Sequence, residues 1–503
     1  MTEPTSPTLW RYVGLGAAGL LAWASYGAGS RRTLHTAILW PGVSWEAPTG
    51  GSPLLTGVAI LAMGVWVLAW WRLRDAWVSV GWWQVTAGLW FAPLVASVPL
   101  YSRDLYSYAA QGALWHEGLS PYEHGVADLE SEWRESTAPT WLDSTAPYGP
   151  VFLLLARGIA AVSGGHLLVA LVLLRLVALV AVVVMVWAVP EIAKRLGVVD
   201  PEKATWLGVA TPLVGAHFVS GAHNDALMVV GVLLGIALAL RERYVWAVVV
   251  IALAAMVKVT AVVAVPFGAL LWAASRPPVS WPRLVGRAGL TAGVALVPVV
   301  AVTLVTGLGF SWLNPASTSG KNEQWTSLPT ALGMAIGAVG HLLGNPSWRD
   351  SGIAALRVLG LVVMVVLLVV IWLRAASRMT DRAAVVRSIG WALLAVIVLA
   401  PAFLGWYFLW VLPVLAASVS PREHPRVVTG LAVAATVLCF AQLPDGYSLG
   451  LTTTAVGVPI ALAVTVLLVR AGWRWARVTD WRHFLDLPAD ATPETAGTST
   501  LAP

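Results

Sequence analysis

Residues 167–189 read LLVALVLLRLVALVAVVVMVWAV, an apolar run broken by one charged side chain, Arg175. A helix of roughly 20 such residues spans the hydrocarbon of a bilayer. No water is present there, so peptide N–H and C=O groups must be bonded within the chain, and a helix does this by itself. The pattern recurs. Apolar runs stand at about 12–28, 54–71, 80–99, 166–189, 204–220, 226–240, 245–257, 259–274, 288–306, 353–373, 388–402, 404–419, 427–442 and 455–471. Only 11% of the 503 residues are charged, against about 25% in a soluble domain. The expected fold is therefore all-α and polytopic, with about 13 to 14 transmembrane helices. A single membrane domain is expected over 1–488, followed by a disordered tail at 489–503 rich in Thr, Ala and Pro. The N-terminus MTEPTSPTLWRY lacks a basic signal start, so the first run is expected to be a retained span. Cys439 lies inside an apolar run and reads as packing.

The net charge of +6 does not indicate a nucleic-acid partner, because the basic residues are sorted by side. With the N-terminus inside, about 21 of the 31 lysines and arginines fall in cytoplasmic segments. About six lie in outer loops: Arg31, Arg32, Arg103, Arg134, Lys321 and Arg349. This is the positive-inside bias of a plasma-membrane protein. No Walker, HExxH, CxxC or supported GxGxxG pattern occurs, so nucleotide hydrolysis and dinucleotide binding have no support.

Two long polar segments, 101–165 and 307–352, and the turn SGAHNDAL at 220–227 fall on the outer side. Interfacial helices are expected after Pro150 and at about 329–344. The segment 103–122 reads RDLYSYAAQGALWHEGLSPY. On a helix starting near Arg103, Asp104, Ser107, Tyr108 and Gln111 share one face. A carboxylate, two hydroxyls and an amide can bind a sugar and accept a proton from an attacking hydroxyl. The plainer alternative is that Asp104 caps the helix. His223, Asn224 and Asp225 close one span and open another; they are either helix caps or a polar cluster facing the same space. Lys258 lies between two short apolar runs that suggest a re-entrant bend. It can snorkel to the surface or pair with an anionic headgroup. Arg349 and Lys321 are outer cations, either solvated or phosphate-binding, and Arg157 and Arg175 sit near the interface. The 29 tryptophans read mainly as interface anchors, with Trp115, Trp141 and Trp325 as undifferentiated candidates for stacking on sugars. The acidic stretch at 128–135 reads as a solvated loop face with no metal-ligand spacing, and no metal or cofactor is assigned.

Taken together, Asp104 within RDLYSYAAQGALWHEGLSPY, then APYGPVFLLLARG at 146–158, then GAHNDALMVVG at 221–231 resemble the polyprenol-phosphate-mannose-dependent α-1,6-mannosyltransferases of actinobacterial envelopes. These are integral-membrane glycosyltransferases of the GT-C class. Leu105 stands where that family's motif has Val, an apolar exchange. The resemblance implies a multi-span enzyme that takes mannose from polyprenyl-phosphate-mannose on the outer side. It would pass the sugar to an α-1,6-mannan or a mannosylated phosphatidylinositol lipid, extending lipomannan and lipoarabinomannan. It implies Asp104 as the proton acceptor in a single inverting displacement. Lys258, His223 and Arg349 are then candidates for the donor phosphate, and Ser107, Tyr108, Gln111, Asn224 and Asp225 for the sugars. Two other readings are a lipid-linked-sugar transporter or flippase and a non-catalytic scaffold. The first would place ionisable groups through the span interiors. The second leaves the Asp104 face without a role.

Overall fold

A computed structural model of the chain describes residues 6–29, 52–276, 278–313, 323–446 and 454–478. Its elements are helices throughout. Three of them begin where the sequence supplies a capping side chain. Ser52 accepts from the Leu55 N–H at 3.4 Å, Ser79 from Trp82 at 3.2 Å and Asp381 from Ala384 at 3.0 Å. These open the helices Pro53–Arg72, Val80–Val95 and Arg382–Leu399. Gly197 and Gly307, both left-handed, end Leu167–Leu196 and Trp281–Thr306 in the usual C-terminal manner.

Each expected apolar run carries a helix, but among the described residues fewer helices than expected are both long and apolar enough to cross. Five are: Pro53–Arg72, Leu167–Leu196, Trp281–Thr306, Trp348–Ala376 and Arg382–Leu399. Pro212–Ser220 and Asp225–Leu240, bent by 117° at their junction, make a sixth if taken as one span. The count of 13 to 14 treated every run as a crossing. Several runs are instead short helices, such as Tyr244–Ala255 with 12 residues. That rises about 18 Å against a hydrocarbon core of about 30 Å.

The helices expected after Pro150 and near 329 form as Pro150–Val162 and Leu328–Leu342. Asp104–His116 packs against Pro150–Val162 so tightly that a Cβ on Gly112 would lie 2.3 Å from the Ala156 carbonyl oxygen. Ahead of Pro150, Gly149 N–H donates to the Val257 carbonyl and Val151 N–H to that of Met256, each at 3.1 Å. A Cβ at Gly149 would meet the Met256 carbonyl at 2.0 Å. The loop helix is thus stitched to the helix interruption just before Lys258, between Tyr244–Ala255 and the 3-10 turn Val259–Ala264.

Several tryptophans are core residues. Trp66, Trp70, Trp83 and Trp90 are fully buried. Trp70 and Trp206 stack at 4.8 Å, and each indole N–H donates to the other's carbonyl, at 2.9 and 3.0 Å. With its N–H satisfied, an indole is a large apolar group and packs as one. Cys439 is buried, as expected. Asp128, Glu130, Glu132 and Glu135 are exposed, consistent with a solvated face. The tail 489–503 and Lys321 lie outside the described residues.

Candidate active site

Among the described residues, two of the three non-glycine residues with positive φ lead into the polar cluster: Tyr101 (φ 64) and Ala222 (φ 47). Such backbone persists only where neighbours hold it. The Tyr101 N–H donates to the Pro444 carbonyl at 2.9 Å. The turn after Ser220 is held from Leu167–Leu196, where the Arg175 guanidinium donates to the carbonyls of Val95 (2.9 Å), Ser97 (2.6 Å) and Ser220 (2.7 Å). Arg175 is therefore a half-buried clamp on backbone. Arg157 lies over the Trp115 ring.

These two turns deliver Asp104 and His223 to each other. Asp104 is the first residue of Asp104–His116. His223 Nδ1 lies 3.5 Å from Asp104 Oδ2, and the Tyr108 hydroxyl lies 3.4 Å from the same nitrogen. Trp141 Nε1 donates to Asp104 Oδ1 at 3.2 Å, and the Asp104 N–H donates to Ser102 Oγ at 3.0 Å. Trp406 stacks on the His223 ring at 4.0 Å, and His217 packs against both rings. Burial pushes the Asp104 carboxyl up. The hydrogen bond and charge of His223, then Lys258 and Ser102, outweigh it and hold the group below the usual carboxylate range. The same burial, with neighbouring carboxylates, drives the Tyr108 and Tyr148 phenols well above theirs. Tyr148, from the APYGP stretch, meets Tyr108 edge-on at 5.2 Å.

A second charged centre adjoins the first. Lys258 Nζ donates to Asp225 Oδ1 at 2.7 Å, and Trp410 Nε1 donates to the same oxygen at 2.6 Å. Lys258 also sits over the rings of Tyr407 and Trp410, at 4.5 and 4.9 Å. The capping alternatives do not hold in this geometry. Neither Arg103 nor Asn224, at the N-cap positions, makes a side-chain cap bond, and Asp225 is engaged by Lys258 and Trp410.

Several polar atoms in this cluster are buried without a partner among the described residues: Ser107 Oγ, Gln111 Oε1, His223 Nε2, both side-chain polar atoms of Asn224, and Asp225 Oδ2. Buried polar groups are normally hydrogen-bonded. A concentration of unpaired ones beside a carboxylate is what a site for a hydroxyl-rich ligand requires. An open cavity of about 180 Å³ adjoins Asp104, lined also by Trp141, Gln324, Trp406, Gln442 and Asp445. Among the described residues no group of three or more His, Cys, Asp or Glu converges as a metal site.

Asp104, Ser107, Tyr108, Gln111, His223, Asn224, Asp225 and Lys258 are thus brought to one region. Arg349 is not. It pairs with Glu323 at 2.5 Å and with Asp350 at 3.5 Å, is about half exposed, and does not line the cavity. Trp406, Trp410, His217 and Gln442 were missed from the sequence. The aromatic run GWYFLW at 405–410 was the one available signal, and it reads equally as part of a span. Of the three candidate tryptophans, Trp141 is the one at the carboxylate.

Comparison with known proteins bears on this geometry. A family model described as alpha-(1->6)-mannopyranosyltransferase, N-terminal domain, matches residues 11–274. Another, described as MptB C-terminal domain, matches residues 329–471. Alpha-(1->6)-mannopyranosyltransferase A of Mycobacterium tuberculosis is 34% identical, covering 86% of this chain and 84% of its own length. A probable alpha-(1->6)-mannopyranosyltransferase of Mycolicibacterium smegmatis is 31% identical, covering 83% and 80%. Alpha-(1->6)-mannopyranosyltransferase B of Corynebacterium glutamicum is 28% identical, covering 93% and 82%. No solved structure matches the chain.

Proposed function

The chain belongs to the alpha-(1->6)-mannopyranosyltransferase family, and from that premise we propose that it transfers mannose from polyprenyl-phosphate-mannose to the 6-hydroxyl of an α-1,6-mannan or a mannosylated phosphatidylinositol lipid. The reaction is placed at the outer face of the plasma membrane. The observation that carries this reading is the pairing of Asp104 with His223 beside a cavity and a set of buried, unpaired polar atoms.

The proposed step is a single displacement. The acceptor hydroxyl oxygen attacks the anomeric carbon and forms the new C–O bond. Its proton passes to the Asp104 carboxylate, which the surrounding donors keep ionised and available. The bond between the anomeric carbon and the phosphate oxygen breaks, and its electron pair leaves with the lipid phosphate. A β-linked donor then gives an α-linked product. The leaving phosphate is stable as an anion, so it needs positive charge and N–H donors rather than a protonating acid. Lys258 and the unpaired Nε2 of His223 are assigned that role, and Ser107, Tyr108, Gln111, Asn224 and Asp225 the sugar hydroxyls. Two carboxylates at glycosidase spacing are not needed, since no covalent intermediate forms. The step as written draws on no cofactor.

The test uses purified full-length protein in nanodiscs with radiolabelled polyprenyl-phosphate-mannose and short α-1,6-oligomannosides, with and without a chelator. The expected product is the acceptor extended by one α-linked mannose. Movement of carrier lipid across the bilayer with no sugar transfer would overturn the proposal in favour of a flippase.

A further inference from the structure

The two oxygens of Asp104 face different surroundings. Oδ2 lies against His223 in the buried cluster. Oδ1 accepts from Trp141, and Trp141 lines the open cavity together with Gln324, Trp406, Gln442 and Asp445. We infer that this cavity is the acceptor subsite, seating the terminal sugar ring of the acceptor so that its attacking hydroxyl meets Oδ1. The inference rests on the transferase reading above. It adds which side of Asp104 the acceptor occupies and which residues select it.

Three observations carry it. The first is chemical. The Trp141 indole offers an apolar surface for the C–H side of a pyranose, and two carboxamides offer partners for its hydroxyls. The second is polar demand. Trp406 is 3% exposed, and its indole N–H has no partner among the described residues; Gln442 Oε1 is likewise buried and unpaired. Both belong to residues of the cavity wall, and a hydroxyl-bearing ligand would satisfy them. The third is charge. Among the described residues, Asp104 and Asp445 line the cavity with one cation, Arg103, a poor environment for a lipid phosphate. Lys258 lies instead with Asp225 on the cluster side. The neutral sugar and the phosphate are thereby sorted to opposite sides of one carboxylate. The size also fits: a cavity of about 150 Å³ holds a benzene molecule, so about 180 Å³ has room for one six-membered ring with some of its hydroxyls, and the open mouth leaves the rest of an acceptor outside.

The experiment has two arms on the full-length protein in nanodiscs. In the first, a diazirine derivative of methyl α-mannopyranoside is photolysed with the protein and its attachment sites are mapped by mass spectrometry. Labelling of the segments containing Trp141 and Gln442, displaced by excess methyl α-mannopyranoside, is expected. Labelling elsewhere, or none, overturns the inference whether or not the protein is active. In the second, Gln442→Leu and Gln324→Leu are assayed with polyprenyl-phosphate-mannose and methyl α-mannopyranoside. In each variant that folds, KM for the mannoside should rise about tenfold, the scale of one lost hydrogen bond to a sugar, while KM for the donor stays within about twofold. An unchanged mannoside KM, or a rise in donor KM instead, overturns the assignment. Absence of transfer by the wild-type protein would refute the transferase reading, and the labelling arm would still judge the cavity.

Discussion

Replacing Lys258 by Met would expose how the second charged centre is held. The Asp225 side chain has no exposure, and that of Lys258 is 15% exposed. Removing the ammonium leaves a buried carboxylate with Trp410 as its one remaining donor at Oδ1, while Oδ2 is already unpaired. Breaking a buried pair from one side costs about 3–5 kcal/mol. The lost contacts with Tyr407 and Trp410 add about 0.5–1 kcal/mol. Lys258→Met should therefore destabilise by about 4–5 kcal/mol. Lys258→Met with Asp225→Leu removes both charges, and an apolar replacement of a buried pair is often neutral. The double variant should recover most of the loss, with a coupling energy of about 3 kcal/mol. Unfolding in denaturing detergent, followed by tryptophan fluorescence on all four proteins, measures that coupling. A single variant within about 1 kcal/mol of wild type, or a double variant no more stable than the single, would refute the reasoning. The pair also constrains mechanism: a donor phosphate must compete with Asp225 for Lys258.

Three further outcomes are expected. His223→Gln removes the largest influence lowering the Asp104 carboxyl, so burial prevails and the group titrates higher. A depressed carboxylate is ionised, and stabilising, above its unfolded value of about 3.9, and that benefit is lost as pH falls through the folded value. The acid limb of kcat/KM should accordingly lie below the usual carboxylate range in wild type and move to higher pH in the variant; an unmoved limb contradicts the assignment. Arg175→Met deprives three carbonyls of a charged donor. It should cost about 3 kcal/mol or more in the same unfolding assay, with Arg175→Lys restoring part of it at most. Arg349→Ala breaks only half-exposed pairs and should change stability by less than about 1 kcal/mol, leaving donor KM within about twofold. A large rise in donor KM would return Arg349 to the phosphate site.

What could be read from the sequence was whatever is local in the chain. Asp104, Ser107, Tyr108 and Gln111 lie within two turns of one helix. His223 to Asp225 form one turn, and Lys258 marks one break, so spacing alone grouped each set. The all-helical, membrane-type fold followed from apolar runs in the same way, whereas the GT-C class came from the family resemblance alone. What could not be read depends on distant approach. Trp410 reaches Asp225 across 185 residues, from a run whose composition is that of any span. Trp406 and Gln442 look unremarkable until the chain folds them against His223 and the cavity. Hydropathy records which residues avoid water but does not separate lipid from protein interior. For that reason the count of runs exceeded the count of helices long and apolar enough to cross among the described residues, and hydropathy did not single out the tryptophans that are fully buried.

The account depends most on the carboxylate of Asp104, and single-turnover transfer by Asp104→Asn tests it most directly. The asparagine keeps the shape and can still meet Trp141 and His223, but it cannot take a proton. With donor KM and thermal stability near wild type, the rate of mannose transfer should fall by about 10²–10⁴. Transfer within about tenfold of wild type would contradict Asp104 as the proton acceptor and the division of donor and acceptor around it.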